Sequence, residues 1–384
     1  MRSATILAAL PLALAAPSRR ATPAPLVKPR NAEIIEGKYI VKMKSTIGIQ
    51  ALESHKSLIA AKADYTYKSH KFTGFAASMT AEEVEKLQAM ADVEYIEHDA
   101  VVRAYTTQSN ADWGLARISN KDTSSSTYTY DSSAGEGVCA YIVDTGIDVD
   151  HEEFEGRAKF VSNQVDDDDT DGNGHGTHVA GTIGSKTYGV AKKVSLYAVK
   201  VLGADGSGSN SGVIAGMDFV VSDAPDRDCP KGVVVNMSLG GGVSDAVNEA
   251  AANIVSAGNF LAVAAGNEAA DASTSSPASE SSACTVGATD NTDTLAEYSN
   301  YGKLVDILAP GSDIKSTWPG GKTNTISGTS MASPHVAGLG AYFLGLGAAS
   351  AEDLCDYIVQ QAQSGAISSV PSSTVNKIIQ NTTS

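Results

Sequence analysis

The chain has 384 residues, of which 42% are hydrophobic, so it is long for one domain and able to bury a substantial core. Its formal charge of −16 disfavours a nucleic-acid partner, because the Lys/Arg clusters that neutralise phosphates are missing. Residues 17–105 carry 13 Lys+Arg and 11 Asp+Glu, whereas residues 106–384 carry 14 and 33. A slightly basic front section thus precedes a strongly acidic body, and this contrast favours docking of one on the other.

Residues 1–16 have the pattern of a secretory signal. Arg2 precedes an apolar stretch over residues 6–16, with small residues at Ala13 and Ala15 near the expected cleavage point. The stretch is too short to cross a bilayer, and no later apolar run is long enough, so we expect no membrane partner. The pattern predicts export from the cell, with the vacuole as the alternative destination.

The section over residues 17–105 predicts a small α+β unit. Residues 17–37 are rich in Pro, Ala and Arg and predict a flexible lead-in. The pattern then predicts strands at 38–44 and 93–97, paired strands over 65–79 turning near 72–74, and helices at 48–61 and 80–91. Thr80 and Glu83 have the spacing of a capping box. This order is a β-α-β-β-α-β, ferredoxin-like unit. A short polar segment near residues 106–110 follows it.

The body alternates strands with helices. Buried parallel strands are predicted at 138–143, 194–201, 233–237, 260–265, 284–287 and 304–308. Helices are predicted at 211–222, at 244–257 with Gly258 as C-cap, and at 330–346 with Pro334 in the first turn. The alternation predicts a doubly wound, mostly parallel α/β sheet with helices on both faces, whose sites lie beyond the carboxyl ends of the strands.

Three short motifs follow one another along the body: Asp-Thr-Gly at Asp144, His-Gly-Thr-His at His175, and Ser-Gly-Thr-Ser-Met-Ala-Ser-Pro-His around Ser330. A serine hydroxyl needs an adjacent base, which a third group orients. The motifs therefore predict Ser330 as nucleophile, His175 as base and Asp144 as the group that orients it. The order Asp, His, Ser is the order found in subtilisin. His178 falls one turn beyond His175 and is predicted to be a core residue.

Asn267 follows a predicted buried strand and could supply the side-chain half of an oxyanion hole, with the Ser330 N–H as the other half. Small-residue segments nearby predict walls that an extended peptide could join as an added strand. These predicted walls are Gly206, Ser207, Gly208, Ser238, Leu239, Gly240, Ala264, Ala265 and Gly266.

Besides an enzyme with a serine nucleophile, two other kinds of protein remain open as interpretations of these motifs. An aspartic protease would need a second Asp-Thr/Ser-Gly, whereas the chain has the motif once. A non-catalytic binding protein on the same fold would normally have lost one of the three groups, and all three are present.

The chain has two glycosylation sequons; the one at Asn236 lies in a predicted buried strand, and the one at Asn381 is open to modification.

Four cysteines follow residue 105, at Cys139, Cys229, Cys284 and Cys355. An even number of cysteines in an exported chain predicts two disulfides, and three pairings are open.

These motifs resemble those of the subtilase family, in particular the fungal proteinase K group. Residues 111–119 resemble the start of the mature enzyme in that group, and the front unit resembles the family's inhibitory propeptide, which chaperones folding and is removed by self-cleavage. The resemblance implies a cut between Tyr105 and Thr106. The domains are then a signal peptide at 1–16, a propeptide at 17–105 and a peptidase domain at 106–384. A cut after Tyr105 implies preference for aromatic or large apolar residues before the scissile bond.

The resemblance also implies the disulfides Cys139–Cys229 and Cys284–Cys355. It implies one structural calcium site, with the Asp306 carboxylate and the carbonyl groups of Ser281 and Ala283 as ligands. A second site is expected to be lost, because its carboxylate position is Ala366. Asn210 replaces an aromatic residue of the fourth subsite. The expected protein is a monomeric, secreted serine endopeptidase made as a zymogen, with its own propeptide as inhibitor.

Overall fold

The computed structural model describes residues 22–29, 34–45, 49–69, 71–102 and 105–383. The predicted signal at residues 1–16 lies outside these ranges. The chain divides into two compact units between Val102 and Arg103.

The first unit is a five-stranded sheet with two helices. Its elements are β1 (Leu26–Val27), β2 (Ile34–Met43), α1 (Ile49–Lys56), β3 (Tyr65–Ser69), β4 (Phe72–Ser78), α2 (Ala81–Gln88) and β5 (Val93–Ala100), and the strand order is β1-β5-β2-β4-β3. The capping box is confirmed: the Thr80 hydroxyl accepts from the Glu83 N–H, and the Glu83 carboxylate accepts from the Thr80 N–H. Val84 and Leu87 of α2 pack with Val41, Phe75 and Ile96 in the core of this unit.

Two predictions for this unit need correction. The lead-in over residues 17–37 is ordered in part, because Ala24 is buried and β1 pairs in parallel with β5. The hairpin reverses before Phe72 and not within 72–74, because the register pairs Ser69 with Phe72. A hydrogen bond from the Phe72 N–H to the Ser69 hydroxyl supports the earlier turn.

The second unit has a nine-stranded sheet, with strand order β19-β20-β16-β15-β13-β11-β8-β10-β9. Its elements are β6 (Tyr105–Ser109), α3 (Trp113–Ser119), β7 (Thr127–Asp131), β8 (Cys139–Asp144), β9 (Ala158–Asn163), α4 (His175–Gly184), β10 (Ser195–Lys200), α5 (Asn210–Asp223), β11 (Val233–Met237), β12 (Gly241–Gly242), α6 (Asp245–Ser256), β13 (Phe260–Ala264), β14 (Ser275–Ser276), β15 (Cys284–Thr289), β16 (Ile307–Pro310), β17 (Ile314–Trp318), β18 (Lys322–Ile326), α7 (Thr329–Leu346), α8 (Leu354–Gln361), β19 (Gln363–Ser364) and β20 (Lys377–Ile378).

Helices cover both faces of this sheet, which confirms the predicted doubly wound α/β class. Alternate side chains of the central strands enter two separate cores, as the two-residue period of a strand requires. Ile142 and Ala198 pack with α4 and α7 on one face, while Val143 and Val199 pack with α5 and α6 on the other. Strand β8 has β10 on one side and β11 on the other, so the chain order reverses around it. The carboxyl end of β8 is therefore the point where a doubly wound sheet opens a crevice.

Several strands lack the long apolar runs on which the prediction relied. Strand β9 has partly buried side chains, and the β17–β18 hairpin is rich in Thr, Ser and Lys. The run at 304–308 forms a strand only from Ile307 onward, because Val305 turns back to bond with Gly302. The C-cap of α6 is Ala257, one residue before the predicted Gly258, which follows it in the left-handed conformation with φ of +82° and donates its N–H to the Val255 carbonyl oxygen.

The structure confirms the disulfide pairing that the family resemblance implies. Cys139 is joined to Cys229, and Cys284 to Cys355, closing loops with sequence separations of 90 and 71 residues. Cross-links of that span restrict the unfolded chain strongly, and they are typical of exported proteins. Within the described residues, no helix is long and apolar enough to span a bilayer.

A buried arginine joins the two ends of the second unit. Arg117 on α3 is 1% exposed; its guanidinium donates to the Asp293 carboxylate at 2.8 Å, the Asn120 carbonyl at 2.7 Å and the Gln363 side chain at 3.0 Å. Removing one partner of a buried ion pair leaves the other charge uncompensated, which costs about 3–5 kcal/mol.

We therefore expect Arg117→Met to lower the thermal unfolding midpoint of the full chain by several degrees, measured by calorimetry. Lys121→Met, which removes one exposed positive charge four residues away, should leave the midpoint within a degree or so. Equal midpoints for the two variants would contradict a structural role for the Arg117 ion pair.

Candidate active site

An acid and an imidazole meet at the carboxyl end of the central strand. Asp144 is the last residue of β8 and is fully buried, and His175 is the first residue of α4. Asp144 Oδ1 accepts from the Thr145 N–H at 2.8 Å and lies 2.8 Å from His175 Nδ1. A carboxylate can only accept, so in the neutral imidazole Nδ1 carries the proton and Nε2 keeps a free lone pair.

The close contact between α4 and the loop after β8 requires a glycine. A Cβ at Gly176 would overlap the carbonyl oxygen of Gly146, so α4 can lie against the loop after β8 only with glycine at this position. Burial lowers the pKa of His175, but the charge of Asp144, the hydrogen bond to it and the charge of Asp171 together raise that pKa above its ordinary value. The buried acids therefore favour the protonated imidazole.

The serine of the third motif lies at the start of α7, one residue after Thr329. Pro334 falls in the second turn and not, as predicted, in the first, because α7 begins at Thr329. A proline has no N–H to donate to the carbonyl four residues earlier, which here is the carbonyl of Ser330. The Ser238 hydroxyl donates to that oxygen instead, at 2.7 Å.

A chain of buried polar groups continues from this contact. Ser238 Oγ accepts from Asn236 Nδ2 at 2.9 Å, and Asn236 Oδ1 accepts from Ser333 Oγ at 2.8 Å. Strand β11 and helix α7 are thereby fixed to each other beneath Ser330. The Ser330 hydroxyl itself donates to the Ser238 carbonyl oxygen at 3.1 Å, so it must rotate about its Cα–Cβ bond before it can donate to an imidazole.

Asn267 faces the same opening from the loop after β13. Its Oδ1 accepts from the Thr329 N–H at 2.8 Å and from the Thr329 hydroxyl at 2.9 Å, which leaves the amide N–H groups free for another acceptor. Sequence reasoning missed Asn300, which is fully buried and supports this loop. Asn300 Oδ1 accepts from the N–H groups of Glu268 and Ala270, and Nδ2 donates to the Ala265 carbonyl at 2.9 Å.

Two cavities adjoin these groups. One, of about 480 Å³, is lined by His175 and by Asn210, and includes the predicted walls Gly206, Ser207, Gly208, Ser238, Leu239 and Gly240. The other, of about 370 Å³, is lined by Ala264, Gly266, Asn267 and Ser330. The predicted wall residue Ala265 lines neither cavity. Its side chain is fully buried in a cluster with Leu308, because neighbouring side chains of an extended segment face opposite ways.

A carboxylate that the sequence analysis did not consider also lines the smaller cavity. Glu268 is exposed there, and its Oε2 accepts from Asn300 Nδ2 at 2.8 Å. The predicted walls themselves carry no charge, so Glu268 gives this cavity a negative group.

His178 lies apart from the opening, as predicted. It is fully buried, and its Nε2 lies 3.0 Å from the Ile314 carbonyl oxygen. Burial lowers the pKa of His178 to about 4, so this imidazole is neutral at ordinary pH.

The predicted calcium ligands lie near the Cys284–Cys355 disulfide. Asp306 is partly buried, and its Oδ2 accepts one hydrogen bond, from the Thr285 N–H at 2.8 Å. Burial raises the pKa of Asp306 to about 6, and no described Lys or Arg forms an ion pair with it. Ser281 is exposed and Ala283 is buried nearby. A carboxylate with unused lone pairs fits a hard cation such as Ca²⁺.

Both glycosylation sequons are buried. Asn236 is fully buried, as predicted, and Asn381 is 1% exposed with its Nδ2 bonded to the Thr129 carbonyl at 2.7 Å. The Asn381 side chain therefore offers no accessible amide in the folded chain, which corrects the expectation that this site is open to modification.

The fold and site together define a class: a doubly wound α/β protein that brings a serine, a histidine and a buried aspartate to the carboxyl edge of a parallel sheet. Family models match on both units. The model described as "Subtilase family" matches residues 135–377, and "Peptidase inhibitor I9" matches residues 38–105.

Known proteins agree with this class. The chain is 70% identical over 289 residues to "Proteinase T" of Parengyodontium album, covering 75% of this chain and 98% of that protein. It is 53% identical over 387 residues to "Cuticle-degrading protease" of Metarhizium anisopliae, covering 99% and 100%. The crystal structure of a cold-adapted subtilisin-like serine proteinase superposes with a TM-score of 0.67 at 44% identity, covering 71% of this chain and 99% of that one.

The chain belongs to the subtilase family. It is a subtilisin-type serine protease that carries an inhibitor domain of the I9 type ahead of its protease domain.

Proposed function

We propose that this protease cleaves peptide bonds through an acyl-enzyme on Ser330. The Asp144–His175 hydrogen bond is the observation that carries the proposal, because it leaves Nε2 as a free acceptor beside the cavity that a peptide would occupy. Nε2 takes the Ser330 proton as the hydroxyl oxygen attacks the substrate carbonyl. The resulting imidazolium is stabilised by the buried Asp144 charge and then donates the proton to the leaving amine.

The negative oxygen of the tetrahedral intermediate needs preorganised donors. Asn267 Nδ2 is free to serve, since Oδ1 is held by two donors from Thr329. The backbone N–H of Ser330, in the first turn of α7, is the second proposed donor, and the helix dipole favours a negative charge there. A water molecule then attacks the acyl-enzyme carbonyl, and His175 takes a proton from that water. His175 afterwards returns the proton to the Ser330 oxygen as the acyl group leaves.

The substrate would bind as an extended strand between two wall segments. Gly206–Gly208 and Ser238–Gly240 both line the larger cavity, and most of their side chains are small enough to leave backbone groups accessible. The smaller cavity would receive the side chain before the scissile bond. Its uncharged Ala264 and Gly266 walls suit aromatic or large apolar residues, and Glu268 adds affinity for a basic residue.

We propose that the front unit is an intramolecular inhibitor that is removed at Tyr105–Thr106. The inhibitor family match ends at Tyr105, and the polar strand β6 starts there.

The signal pattern at residues 1–16 and the two disulfides favour secretion from the cell. All proposed site residues come from one unit of one chain, so a monomer suffices for activity.

We propose one structural calcium ion, held by Asp306 and by the carbonyl groups of Ser281 and Ala283. The ion would neutralise a partly buried carboxylate near a disulfide and would stabilise the folded protein by mass action. Ala366 offers no side-chain oxygen for the second site that the family resemblance considers.

Replacing the proposed nucleophile tests the function directly. We expect Ser330→Ala to lose peptidase activity by a factor of at least about 10⁴ and to accumulate as the uncut full-length protein, seen by mass spectrometry. Ser327→Ala, which removes an exposed hydroxyl three residues earlier, should be processed and active. A Ser330→Ala protein that removes its own front unit at the normal rate would refute the assignment.

A specificity prediction concerns Glu268. Glu268→Gln should lower kcat/KM for substrates with Lys before the scissile bond by about two- to five-fold, as expected for an exposed ion pair. Substrates with Phe at that position should be unaffected and serve as the internal control. Equal effects on both substrates would show that Glu268 does not contact this side chain.

Calcium removal tests the proposed metal site. A chelator should lower the thermal unfolding midpoint of the wild-type protein, whereas Asp306→Asn should unfold at a lower midpoint that no longer responds to calcium. At calcium 100-fold above its dissociation constant the linkage is about 2.7 kcal/mol. Asp356→Asn is the matched control, since Asp356 lies near enough to raise the pKa of Asp306 but is not a proposed ligand. A full calcium response in Asp306→Asn would exclude this site.

A further inference from the structure

A second buried carboxylate lies beside the Asp144–His175 pair and has no part in the chemistry proposed above. Asp171, in the loop before α4, is 6% exposed. Its Oδ1 accepts from the Thr145 hydroxyl at 2.8 Å, the Gly174 N–H at 2.8 Å and the Asn173 N–H at 3.2 Å. Its Oδ2 accepts from the Thr177 hydroxyl at 2.6 Å and the Thr177 N–H at 2.9 Å. Five donors from two segments thus converge on one side chain.

These donors all lie within two residues of one of the two proposed catalytic groups. Thr145 directly follows Asp144, while Gly174 and Thr177 lie on either side of His175. The Thr145 hydroxyl also accepts from the Gly176 N–H at 2.9 Å. Asp171 and Thr145 together therefore tie the end of β8 to the first turn of α4, which fixes the separation of Asp144 and His175.

The contacts of Asp171 bring no positively charged group to its carboxylate. Its partners are backbone N–H groups and hydroxyls, and no described Lys or Arg forms an ion pair with it. The other titratable groups near the pair are His178 on α4, Asp148 on the loop after β8, and Lys200 on β10. Lys200 donates to the Thr145 carbonyl oxygen at 3.1 Å, and the Asp148 N–H donates to the Thr177 hydroxyl at 2.9 Å. Asp171 therefore acts on His175 both through contacts and through its field.

We propose that Asp171 is a positioning residue for the reaction: it clamps the strand that carries Asp144 to the helix that carries His175, and its negative charge stabilises the imidazolium that forms when His175 takes the Ser330 proton. The inference rests on the roles proposed for Asp144 and His175. A purely structural role would require only that the loop be held, with no effect on the titration of His175.

The test compares Asp171→Asn with Asp150→Asn, each produced as the full chain and assayed after its front unit has been removed, using a peptide substrate over a range of pH. Asp150 is exposed, so its variant makes the same charge change away from the site. We expect Asp171→Asn to lower kcat by about ten- to a hundred-fold with little change in KM, because misplaced catalytic groups slow the chemical step. The acid limb of kcat/KM should also move to lower pH, because the loss of a nearby negative charge lowers the pKa of His175. Values matching those of Asp150→Asn would overturn the proposal.

A measurement that needs no activity separates this inference from the proposed function. In the Ser330→Ala background, the proton between His175 Nδ1 and Asp144 can be followed by NMR as pH is varied. Adding Asp171→Asn should shift its resonance and lower the pH at which His175 titrates; an unchanged resonance and titration would refute the proposal even if Ser330 is the nucleophile.

If the Asp171→Asn chain does not fold, Thr145→Val provides the decisive variant, because it removes one of the five donors and leaves the carboxylate in place. It should reduce kcat several-fold, and Thr145→Ser should restore it. Wild-type kcat in Thr145→Val would count against the clamp.

Discussion

The site depends on one hydrogen bond, between the fully buried Asp144 and His175 Nδ1. A buried carboxylate is costly unless donors satisfy it, and here the strand end supplies the Thr145 N–H and the helix start supplies the imidazole. The bond exists because β8 is the strand about which the sheet order reverses, so its carboxyl end opens into a crevice. The helices on both faces and the glycine contact between α4 and the loop after β8 all serve to place an acid at that point without a solvating water shell.

The opposite side of the site is held by a different device. Pro334 leaves the Ser330 carbonyl without its helical donor, and the Ser238 hydroxyl from the end of β11 takes that place. The start of α7 is thus tied to a strand next to β8, while α4 is tied to β8 itself. The proposed nucleophile and the proposed base therefore depend on two neighbouring strands of one parallel sheet. The rigidity of that sheet is what allows groups more than 150 residues apart in sequence to form one site.

The parts of this molecule that sequence predicted well are those with strong local signals. Long apolar runs located six buried strands, and cap residues such as Thr80 and Gly258 located helix ends to within a residue or two. The motifs around Asp144, His175 and Ser330 were visible because each combines a reactive group with small neighbours. The sequence did not reveal the roles of Asp171, Asn300 and Glu268, because those roles come from contacts with residues distant in sequence. A single Asp or Asn beside glycine is typical of a turn, so it gives no separate signal of a site. Polar strands such as β9 were missed because their stability comes from pairing with neighbours and not from their own composition.

The polar groups around the site follow one electrostatic rule. Asp144 and Asp171 are buried, yet neither forms an ion pair with a Lys or Arg of the described chain. A cation at ion-pair distance would satisfy these carboxylates but would also cancel their field at His175. Backbone N–H groups and hydroxyls satisfy both oxygens of Asp171, and a backbone N–H and the imidazole itself satisfy Oδ1 of Asp144. None of the backbone and hydroxyl donors adds net charge, so the negative potential stays available to the imidazole. The same carboxylates raise the pKa of His175 and so reduce the neutral fraction in acid. The arrangement therefore favours the imidazolium form of His175 and leaves less of its neutral form, the one that can accept a proton, as the pH falls.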